Sequence, residues 1–320
     1  MSSKEIRVNM NDKLKGNNTV NHNIDLLYQF NLSDKNSLKI FNKSTRDITN
    51  LNVLKCIRSG VIVLEKFVIP EEYYEKNIHY TDEFKGNTET VEGLIESKPL
   101  EDDIRRFESY KELIKGSEIL DFGCGRGGFI QLSNKISKRS VGLELNITNR
   151  EYLNNIGVQC VNTLSELNDD KFDLITLNHV FEHLNDPINI LVELQKYLKD
   201  DGIIIIEVPH ARDLLLETFN LESFKNFTLW SEHLILHTRK SLETFATNSG
   251  LQLKNIEGFQ RYPISNHFNW LLNGQPSGHE IFHNLNNDDF HKHYEKLLDS
   301  IDQTDTLIGY FSKKIKENGR

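Results

Sequence analysis

The residues best suited to proton transfer are histidines and acids in the second half of the chain. They are His179, His183, His210 and the adjacent pair Glu232 and His233. An imidazole with an unperturbed pKa of about 6.5 is a neutral proton acceptor at physiological pH. The pattern therefore offers several candidate general bases, and a neighbouring glutamate that could orient the ring of His233.

A glycine-rich stretch at residues 119–128 indicates a different chemistry, the binding of a cofactor. An apolar pair is followed by Asp121 and then by glycines at positions 123, 125, 127 and 128. Glycine tolerates positive φ and lets a ligand approach the backbone closely. Such a turn between a strand and a helix holds adenosine-containing cofactors in doubly wound folds. Glu144 lies about 20 residues beyond the turn, the spacing of a carboxylate that accepts hydrogen bonds from ribose hydroxyls.

These residues lie on a pattern of alternating strands and helices. Apolar, strand-like runs occur at residues 118–122, 140–144, 158–161, 172–177, 202–208, 251–259 and 305–313. Helix-compatible segments lie at residues 100–114, 129–136, 187–198 and 240–249, the first with Ile104 and Tyr110 on its apolar side. Such alternation predicts an α/β fold, a Rossmann-like sheet of seven strands with helices on both faces.

The chain divides into three parts by composition. Residues 1–35 are rich in Asn, Asp and Lys and predict a loosely ordered N-terminal arm. Residues 36–99 contain short β-type runs and predict a small antiparallel accessory element. Residues 100–320 make up the cofactor-binding domain, and residues 260–304 are an insertion before its last strand that we interpret as a lid.

Composition restricts the partners and compartments that suit the chain. The net charge of −9 argues against a broad nucleic-acid surface, which needs clustered Lys and Arg. Three scattered cysteines favour a reducing compartment. No apolar run approaches the roughly 20 residues that span a bilayer, and the first residues lack the apolar stretch of a signal peptide. We therefore expect a cytoplasmic protein without a membrane span.

Several motifs resemble those of class I S-adenosylmethionine (SAM)-dependent methyltransferases. Residues 121–128 resemble motif I, and residues 172–187 resemble the fourth-strand motif with the Glu-His-Leu start of the next helix. Residues 198–209 resemble the helix-turn-strand that follows, and residues 304–309 the last, antiparallel strand. The resemblance implies SAM as cofactor and S-adenosylhomocysteine (SAH) as product. It also implies a set of cofactor contacts: Asp121, Gly123, Cys124 and Gly125 for the methionine part, Glu144 for the ribose, Asn162 and Thr163 for the adenine, and Asn178 beside the sulfonium.

Residues 230–242 resemble a motif of nucleotide-sugar C-methyltransferases in which a glutamate and a histidine are catalytic. The resemblance implies these roles for Glu232 and His233, with Trp230 where that family has tyrosine. That family also carries a zinc module with paired cysteines, of which only Cys56 has a counterpart here. Since zinc needs about four ligands, we expect no metal at this position. The differences from that family favour a shorter relative that acts on a sugar or glycan.

Further side chains are candidates for binding the acceptor. Aromatic rings and Arg can stack on, or hydrogen-bond to, a polar sugar. The candidates are Tyr80, His179, Trp230, Arg261, Tyr262, Asn266 and Trp270. For the residues of the insertion, packing within a helical lid is the alternative interpretation.

The sequence thus predicts transfer of a methyl group from SAM to an oxygen of a sugar, glycan precursor or similar small polar acceptor. The transfer is an in-line displacement, and His233, oriented by Glu232, is the first candidate base, followed by His183 and His210. Another small-molecule O- or N-methyltransferase of the quinone-pathway type and a nucleotide-sugar C-methyltransferase are alternatives. A nicotinamide oxidoreductase and a non-catalytic cofactor-binding protein are the remaining alternatives.

Overall fold

The computed structural model describes residues 19–69, 71–76 and 99–314. The N-terminal elements are β1 (Thr19–Val20), α1 (His22–Gln29), β2 (Leu38–Asn42), β3 (Val53–Cys56), β4 (Ile62–Leu64), β5 (Lys66–Phe67) and α2 (Glu71–Lys76). Within the described ranges, no helix combines the length and the apolar character that crossing a membrane requires.

The second part of the chain carries the main sheet and its helices. Its elements up to the central strands are α3 (Glu101–Ser109), α4 (Lys111–Ile114), β6 (Glu118–Phe122), α5 (Gly128–Ser133), β7 (Arg139–Leu143), α6 (Ile147–Asn155), β8 (Cys160–Val161), β9 (Phe172–Asn178), α7 (Pro187–Tyr197) and β10 (Leu198–Pro209). Those that follow are α8 (Leu214–Glu217), α9 (Glu222–Thr228), β11 (Ile235–Leu236), α10 (Arg239–Asn248), β12 (Leu251–Phe259), α11 (Ile264–Asn273), α12 (Gly278–Ile281), α13 (Asp288–Ser300) and β13 (Thr306–Lys313).

The main sheet has seven strands in the order β12-β13-β10-β9-β6-β7-β8. Strands β6 to β10 pair in parallel, whereas β13 is antiparallel to both of its neighbours, β10 and β12. In β10, Ile204, Ile205 and Ile206 are all fully buried, because helices cover both faces of a parallel sheet. The predicted Rossmann-like fold with an antiparallel last strand is confirmed.

The accessory sheet includes a strand that the sequence analysis did not predict. Its order is β11-β4-β3-β2, and all of its pairs are antiparallel. Strand β11 comes from the loop that follows Glu232 and His233, with Ile235 opposite Val63. A two-residue strand carries too little alternation to be recognised in sequence. The accessory element is therefore joined through β11 to the candidate catalytic segment.

The predicted loosely ordered arm needs correction for its described part. Helix α1 buries Ile24, Leu26 and Leu27 in the largest apolar cluster that the described residues form. Asn21 caps the helix, and its amide nitrogen donates hydrogen bonds to the carbonyls of Leu64 (3.1 Å) and Leu234 (2.8 Å). Tertiary packing and these long-range hydrogen bonds order a segment whose composition is polar.

Helix α3 does not bury the face predicted for it. Ile104 is 49% exposed, whereas Arg106 is buried and its guanidinium donates hydrogen bonds to Glu207 at the end of β10. A buried carboxylate needs a charged partner, and this pairing sets the orientation of the helix. Tyr110, just after the helix, is buried as predicted, and Phe107 packs half-buried against the same apolar cluster.

Residues 260–304 form a helical insertion, as the lid interpretation requires. The indole ring of Trp270 in this insertion is packed inside the protein. Trp270 of α11 is 2% exposed, and its ring centroid lies 5.0 Å from those of Phe224 and Phe227. Burial of a large indole against two phenyl rings stabilises the insertion on α9. The expectation that Trp270 faces an acceptor is therefore wrong.

Candidate active site

The glycine-rich turn connects β6 to α5 and has left-handed backbone at Gly123 (φ 75°) and Gly125 (φ 54°). A Cβ atom on Gly123 would lie 2.5 Å from Cγ2 of Val180, so packing of the protein itself requires this glycine. A Cβ atom on Gly125 would meet nothing within 4 Å. The space beside Gly125 is open, which is what a ligand that approaches the backbone needs.

Asp121 is the penultimate residue of β6, just before this turn, and is 2% exposed. Its Oδ1 accepts hydrogen bonds from Thr176 Oγ1 (2.7 Å) and from Asn178 Nδ2 (3.2 Å) at the end of β9. Burial raises the pKa of the Asp121 carboxyl to about 6, although the two hydrogen bonds oppose the shift. A ligand ammonium group next to it would favour the ionised form.

Glu144 follows β7 and connects the next loop to the glycine-rich turn. Its Oε2 accepts a hydrogen bond from the Gly125 main-chain N–H (2.7 Å), and its Oε1 accepts one from Asn146 (2.7 Å). A carboxylate accepts hydrogen bonds at both oxygens, which makes it a suitable partner for the two hydroxyls of a ribose. This geometry fits the ribose role implied by the resemblance.

Asn162 and Thr163 follow β8, and their main-chain N–H groups both donate to Oε1 of Glu166 (3.2 and 3.0 Å). Thr163 and Glu166 form a capping box at the start of the next short helix. The sequence analysis did not single out Glu166, although the Thr-x-x-Glu spacing was a usable signal. The loop is thereby held at the same edge of the sheet as Glu144.

A buried network of charges surrounds His179, which follows β9. Its Nδ1 lies 3.1 Å from Glu182 Oε1, and its Nε2 lies 3.4 Å from Glu207 Oε1. Burial opposes protonation, but the hydrogen bonds that the His179 ring donates to the two carboxylates raise the pKa of His179. Glu207 also accepts from Arg105 Nη2 and Arg106 Nη2, each at 2.7 Å. Arg105, Arg106 and Glu207 were not predicted, although a single acid in the apolar strand of residues 202–208 was a signal.

The structure brings His183 and His233 together. Their ring centroids are 5.0 Å apart, and His183 Nδ1 lies 3.0 Å from the carbonyl oxygen of Glu232. Burial lowers the pKa of His233 to about 4, so this ring is neutral at physiological pH. Its Nδ1 has no hydrogen-bond partner among the described residues.

Glu182 lies next to both histidines and completes a group of potential metal ligands. One donor atom each from Glu182, His183 and His233 all lie within 4.8 Å of one another. Burial alone would raise the pKa of the Glu182 carboxyl. The hydrogen bond from His179 and the electrostatic interactions with the nearby histidines outweigh burial and lower this pKa to about 2. A carboxylate with two imidazoles has the donor chemistry of a metal site, which the sequence analysis did not predict.

Glu232 does not occupy the position predicted for it. Its carboxylate accepts a hydrogen bond from the Tyr73 hydroxyl (2.9 Å), so it contacts α2 of the accessory part of the chain. The carboxylate grouped with His233 is that of Glu182. Trp230 is stacked on Arg46, whose guanidinium carbon lies 4.4 Å from the ring centroid.

Other predicted residues lie apart from this cluster. His210 is 1% exposed, its Nδ1 lies 3.0 Å from the Thr304 carbonyl oxygen, and burial lowers its pKa to about 4. Asn266 is buried and accepts a hydrogen bond from the Gly278 N–H (3.1 Å) within the insertion. The contact of His210 packs it within the fold, whereas the sequence predicted a general base. The contact of Asn266 packs it within the insertion, whereas the sequence predicted a contact with the acceptor.

Arg261 and Tyr262 lie at the start of the insertion. Arg261 pairs with Asp102 of α3 and thereby joins the charge network of Arg105. The Tyr262 ring centroid is 5.6 Å from that of His279. Tyr80, the remaining predicted acceptor residue, lies outside the described residues.

Comparison with known proteins identifies the class to which this fold and site belong. Residues 95–255, half of the 320-residue chain, match the family described as "Methyltransferase domain". The chain belongs to this family. It is a SAM-dependent methyltransferase, and the resemblance seen in the sequence is confirmed at the level of this class.

Individual relatives are more distant. An uncharacterised protein of Methanocaldococcus jannaschii is 30% identical over 132 residues, which cover 41% of this chain and 54% of that protein. The chain thus spans about half the length of this relative. The ubiquinone biosynthesis O-methyltransferase of Rickettsia conorii is 26% identical over 75% of this chain and 91% of its own length. A SAM-dependent methyltransferase structure from Archaeoglobus fulgidus is 21% identical, with a TM-score of 0.45 over 65% of this chain and 92% of that chain.

Proposed function

We propose that the protein transfers a methyl group from SAM to a hydroxyl oxygen of a sugar, glycan precursor or similar small polar acceptor, with His233 as general base. The observation that carries the proposal is the ring nitrogen Nδ1 of His233, which is buried beside the ring of His183 and has no hydrogen-bond partner among the described residues. Burial lowers the pKa of His233 to about 4, which keeps the imidazole neutral and also makes it a weaker base than an ordinary histidine. A neutral imidazole with a free ring nitrogen can accept the hydroxyl proton.

The reaction balances without any further reactant. The acceptor oxygen attacks the methyl carbon, the new C–O bond forms as the C–S bond breaks, and the sulfonium becomes the thioether of SAH. The hydroxyl proton moves to Nδ1 of His233. Positioning of the two reactants supplies much of the rate enhancement in such a displacement.

The proposed cofactor residues lie at the carboxyl edge of β6 to β9, and each has a distinct role. Asp121 pairs with the ammonium group of the methionine part, the open backbone at Gly125 receives the ligand, and Glu144 accepts from the ribose hydroxyls. The loop of Asn162 and Thr163 is assigned to the adenine. Asn178, which donates to Asp121, is assigned to the sulfonium end.

Support for a polar acceptor comes from the network around His179. Glu182 Oε2, Glu207 Oε2 and Arg105 Nη1 are buried and have no hydrogen-bond partner among the described residues. Buried polar atoms are normally paired, because an unpaired one costs about 1–3 kcal/mol. Hydroxyl groups, which donate and accept, are suited to such a mixed set of oxygens and nitrogens.

A second candidate acceptor is an aromatic hydroxyl of the quinone-pathway type. The relatives from Haemophilus ducreyi and Rickettsia conorii are named ubiquinone biosynthesis O-methyltransferases, and the second aligns with 75% of this chain. These names favour oxygen as the methylated atom. They leave the choice between a sugar and an aromatic ring to experiment.

The test is an acceptor screen with SAM that carries a deuterated methyl group. Monosaccharides, nucleotide sugars, catechols and small amines are incubated separately, and products are analysed by mass spectrometry and NMR. We expect label on oxygen of a sugar-type acceptor. Label on a catechol oxygen would move the proposal to the quinone-type acceptor, and label on carbon or nitrogen would overturn it.

The group of Glu182, His183 and His233 allows a direct test of the base role, because an ion bound there would occupy the lone pair that the proposal requires. We expect treatment with a chelator to leave turnover unchanged. The chelator would be removed before the assay, and turnover compared with an untreated sample. Loss of turnover that Mg²⁺ or Zn²⁺ restores would contradict the base role and assign these residues to a metal centre.

A further inference from the structure

Two of the three cysteines lie side by side at the glycine-rich turn. Cys124 Sγ and Cys160 Sγ are 3.8 Å apart, although the residues are 36 positions apart in sequence. A Cβ atom on Gly142 would lie 2.5 Å from Cys124 Sγ and 3.3 Å from Cys160 Sγ. The absence of a side chain at Gly142 is therefore what allows the two sulfurs to meet.

We propose that Cys124 and Cys160 are a redox modification site, at which a reversible disulfide weakens cofactor binding. The proposal rests on the assignment of the turn at Gly123 and Gly125 to SAM. It concerns regulation of that site by a small disulfide such as oxidised glutathione, and it adds no residue to the methyl-transfer step.

The chemistry is a pair of thiol–disulfide exchanges. Cys124 is the more accessible thiol, since Cys160 is 6% exposed. The Cys124 thiolate attacks one sulfur of glutathione disulfide, forms a mixed disulfide and releases one glutathione thiolate. Cys160 then attacks Cys124 Sγ and releases the second. The protein dithiol is oxidised by two electrons, the small disulfide is reduced, and the two thiol protons pass to the glutathione thiolates.

The strain of closing this bond falls on the glycine-rich turn. A disulfide has an S–S length of about 2.05 Å, so the sulfurs must approach by roughly 1.8 Å. Cys160 is held in place: it pairs with Gly142 in the sheet, and its main-chain N–H and carbonyl bond to the side chain of Asn154 at 3.0 and 2.9 Å. Cys124 lies outside the sheet, in the glycine-rich turn, where its N–H donates to the Leu143 carbonyl (3.0 Å) and its carbonyl accepts from the Gly127 N–H (2.8 Å). Closing the bond would strain these two hydrogen bonds of the turn.

Movement of Cys124 disturbs its neighbour Gly125, whose N–H donates to Glu144. Both residues are assigned to the cofactor, and displacement of a site by about 1 Å can cost up to a hundredfold in function. We infer that the disulfide lowers SAH affinity at least about tenfold. Because coupling between two sites is reciprocal, bound SAH should oppose oxidation by the same factor.

The experiment compares the reduced and oxidised forms of the 320-residue chain. The protein is incubated with glutathione disulfide at mildly alkaline pH, since the pKa of Cys124 is raised by its hydrogen bond to Cys160 and by burial. Disulfide formation is followed as a mass loss of about 2 Da, and SAH affinity is measured by calorimetry. We expect at least tenfold weaker binding, reversed by dithiothreitol.

Two variants separate this pair from general thiol oxidation. Cys160→Ser should bind SAH normally and lose the response to glutathione disulfide. Cys56→Ser removes the third thiol, which lies in the accessory sheet with its Sγ 3.5 Å from the Leu32 carbonyl oxygen, and should respond as the native protein does.

Two results would overturn the proposal: a stable glutathione adduct without an internal disulfide, or a disulfide with unchanged SAH affinity. A reduced protein that does not bind SAH would instead refute the cofactor assignment at Gly125, and the redox proposal with it.

Discussion

The proposed cofactor edge and the proposed acceptor side of this protein are built in different ways. The cofactor edge, defined by Asp121, Gly123, Gly125 and Glu144, lies within 24 consecutive residues and one β-turn-α-β unit. The acceptor side, defined by Glu182, His183 and His233, is assembled from distant segments. Tyr73 reaches Glu232 across 159 positions, and Asn21 reaches Leu234 across 213.

This difference explains which parts of the site can be recognised from sequence. A local unit carries its chemistry in its own spacing, as the glycines and the following acid do. An assembled site depends on contacts that no spacing encodes. The acceptor side should accordingly be more sensitive to changes in remote charges, and the cofactor edge to changes in its own backbone.

The largest expected effect is on the acceptor side. There Glu207 compensates the positive charges of Arg105 and Arg106. Glu207→Gln removes the charge that faces Arg105, Arg106 and His179. We expect the free energy of unfolding to fall by about 3–5 kcal/mol, since the remaining charges are left buried and uncompensated. Urea denaturation measures the change.

Glu193→Gln is the matched control for this variant. Glu193 forms an exposed pair with Lys196, and loss of its charge should change the free energy of unfolding by less than about 0.5 kcal/mol. A similar small loss for Glu207→Gln would mean that the network does not organise the acceptor side.

The cofactor edge can be tested at its backbone with a pair of glycine variants. Gly125 (φ 54°) and Gly157 (φ 81°) both have left-handed backbone and open space around the Cβ position, but Gly157 lies in the α6–β8 turn. Each change to Ala should cost about 1–2 kcal/mol of stability through strain. Only Gly125→Ala should weaken SAH binding, by about tenfold or more, as measured by calorimetry. Equal SAH affinities for the two variants would place the cofactor elsewhere.

The cofactor edge also predicts a pH dependence of SAH binding. Burial raises the pKa of Asp121 to about 6, and only the ionised form pairs with the ammonium group of SAH. Affinity for SAH should therefore be constant above pH 6 and fall by up to about tenfold per pH unit below it. Asp121→Asn should bind SAH weakly and show little dependence between pH 5 and 7. A native protein whose SAH affinity is flat over this range would contradict the assignment of Asp121.

The fold was largely predictable because its strands are apolar runs of ordinary length. The main errors concern burial and pairing. Trp270 was assigned to an acceptor surface because an indole in a lid and an indole in a core look alike in sequence. Arg106 was missed because its partner Glu207 lies 101 positions away. Strand β11 is two residues long and has no pattern of its own.

The contacts of the histidine side chains were also not predictable from the sequence. His183 and His233 were both candidates, but sequence alone could not place their rings 5.0 Å apart or exclude His210 from this cluster. The partner of His233 was predicted as its neighbour Glu232, whereas the adjacent carboxylate is that of Glu182. Adjacency in sequence is a weak guide to side-chain contact where a loop reverses direction.

The most direct test of the account is to measure cofactor binding and methyl transfer on the same preparation of His233→Ala. We predict SAH affinity within about twofold of the native value and a single-turnover transfer rate lower by about 10²–10⁴-fold, the usual contribution of a general base. His283→Ala, which changes an exposed histidine of the insertion, should alter neither quantity. Transfer at the native rate by His233→Ala, once the acceptor is known, would contradict the account.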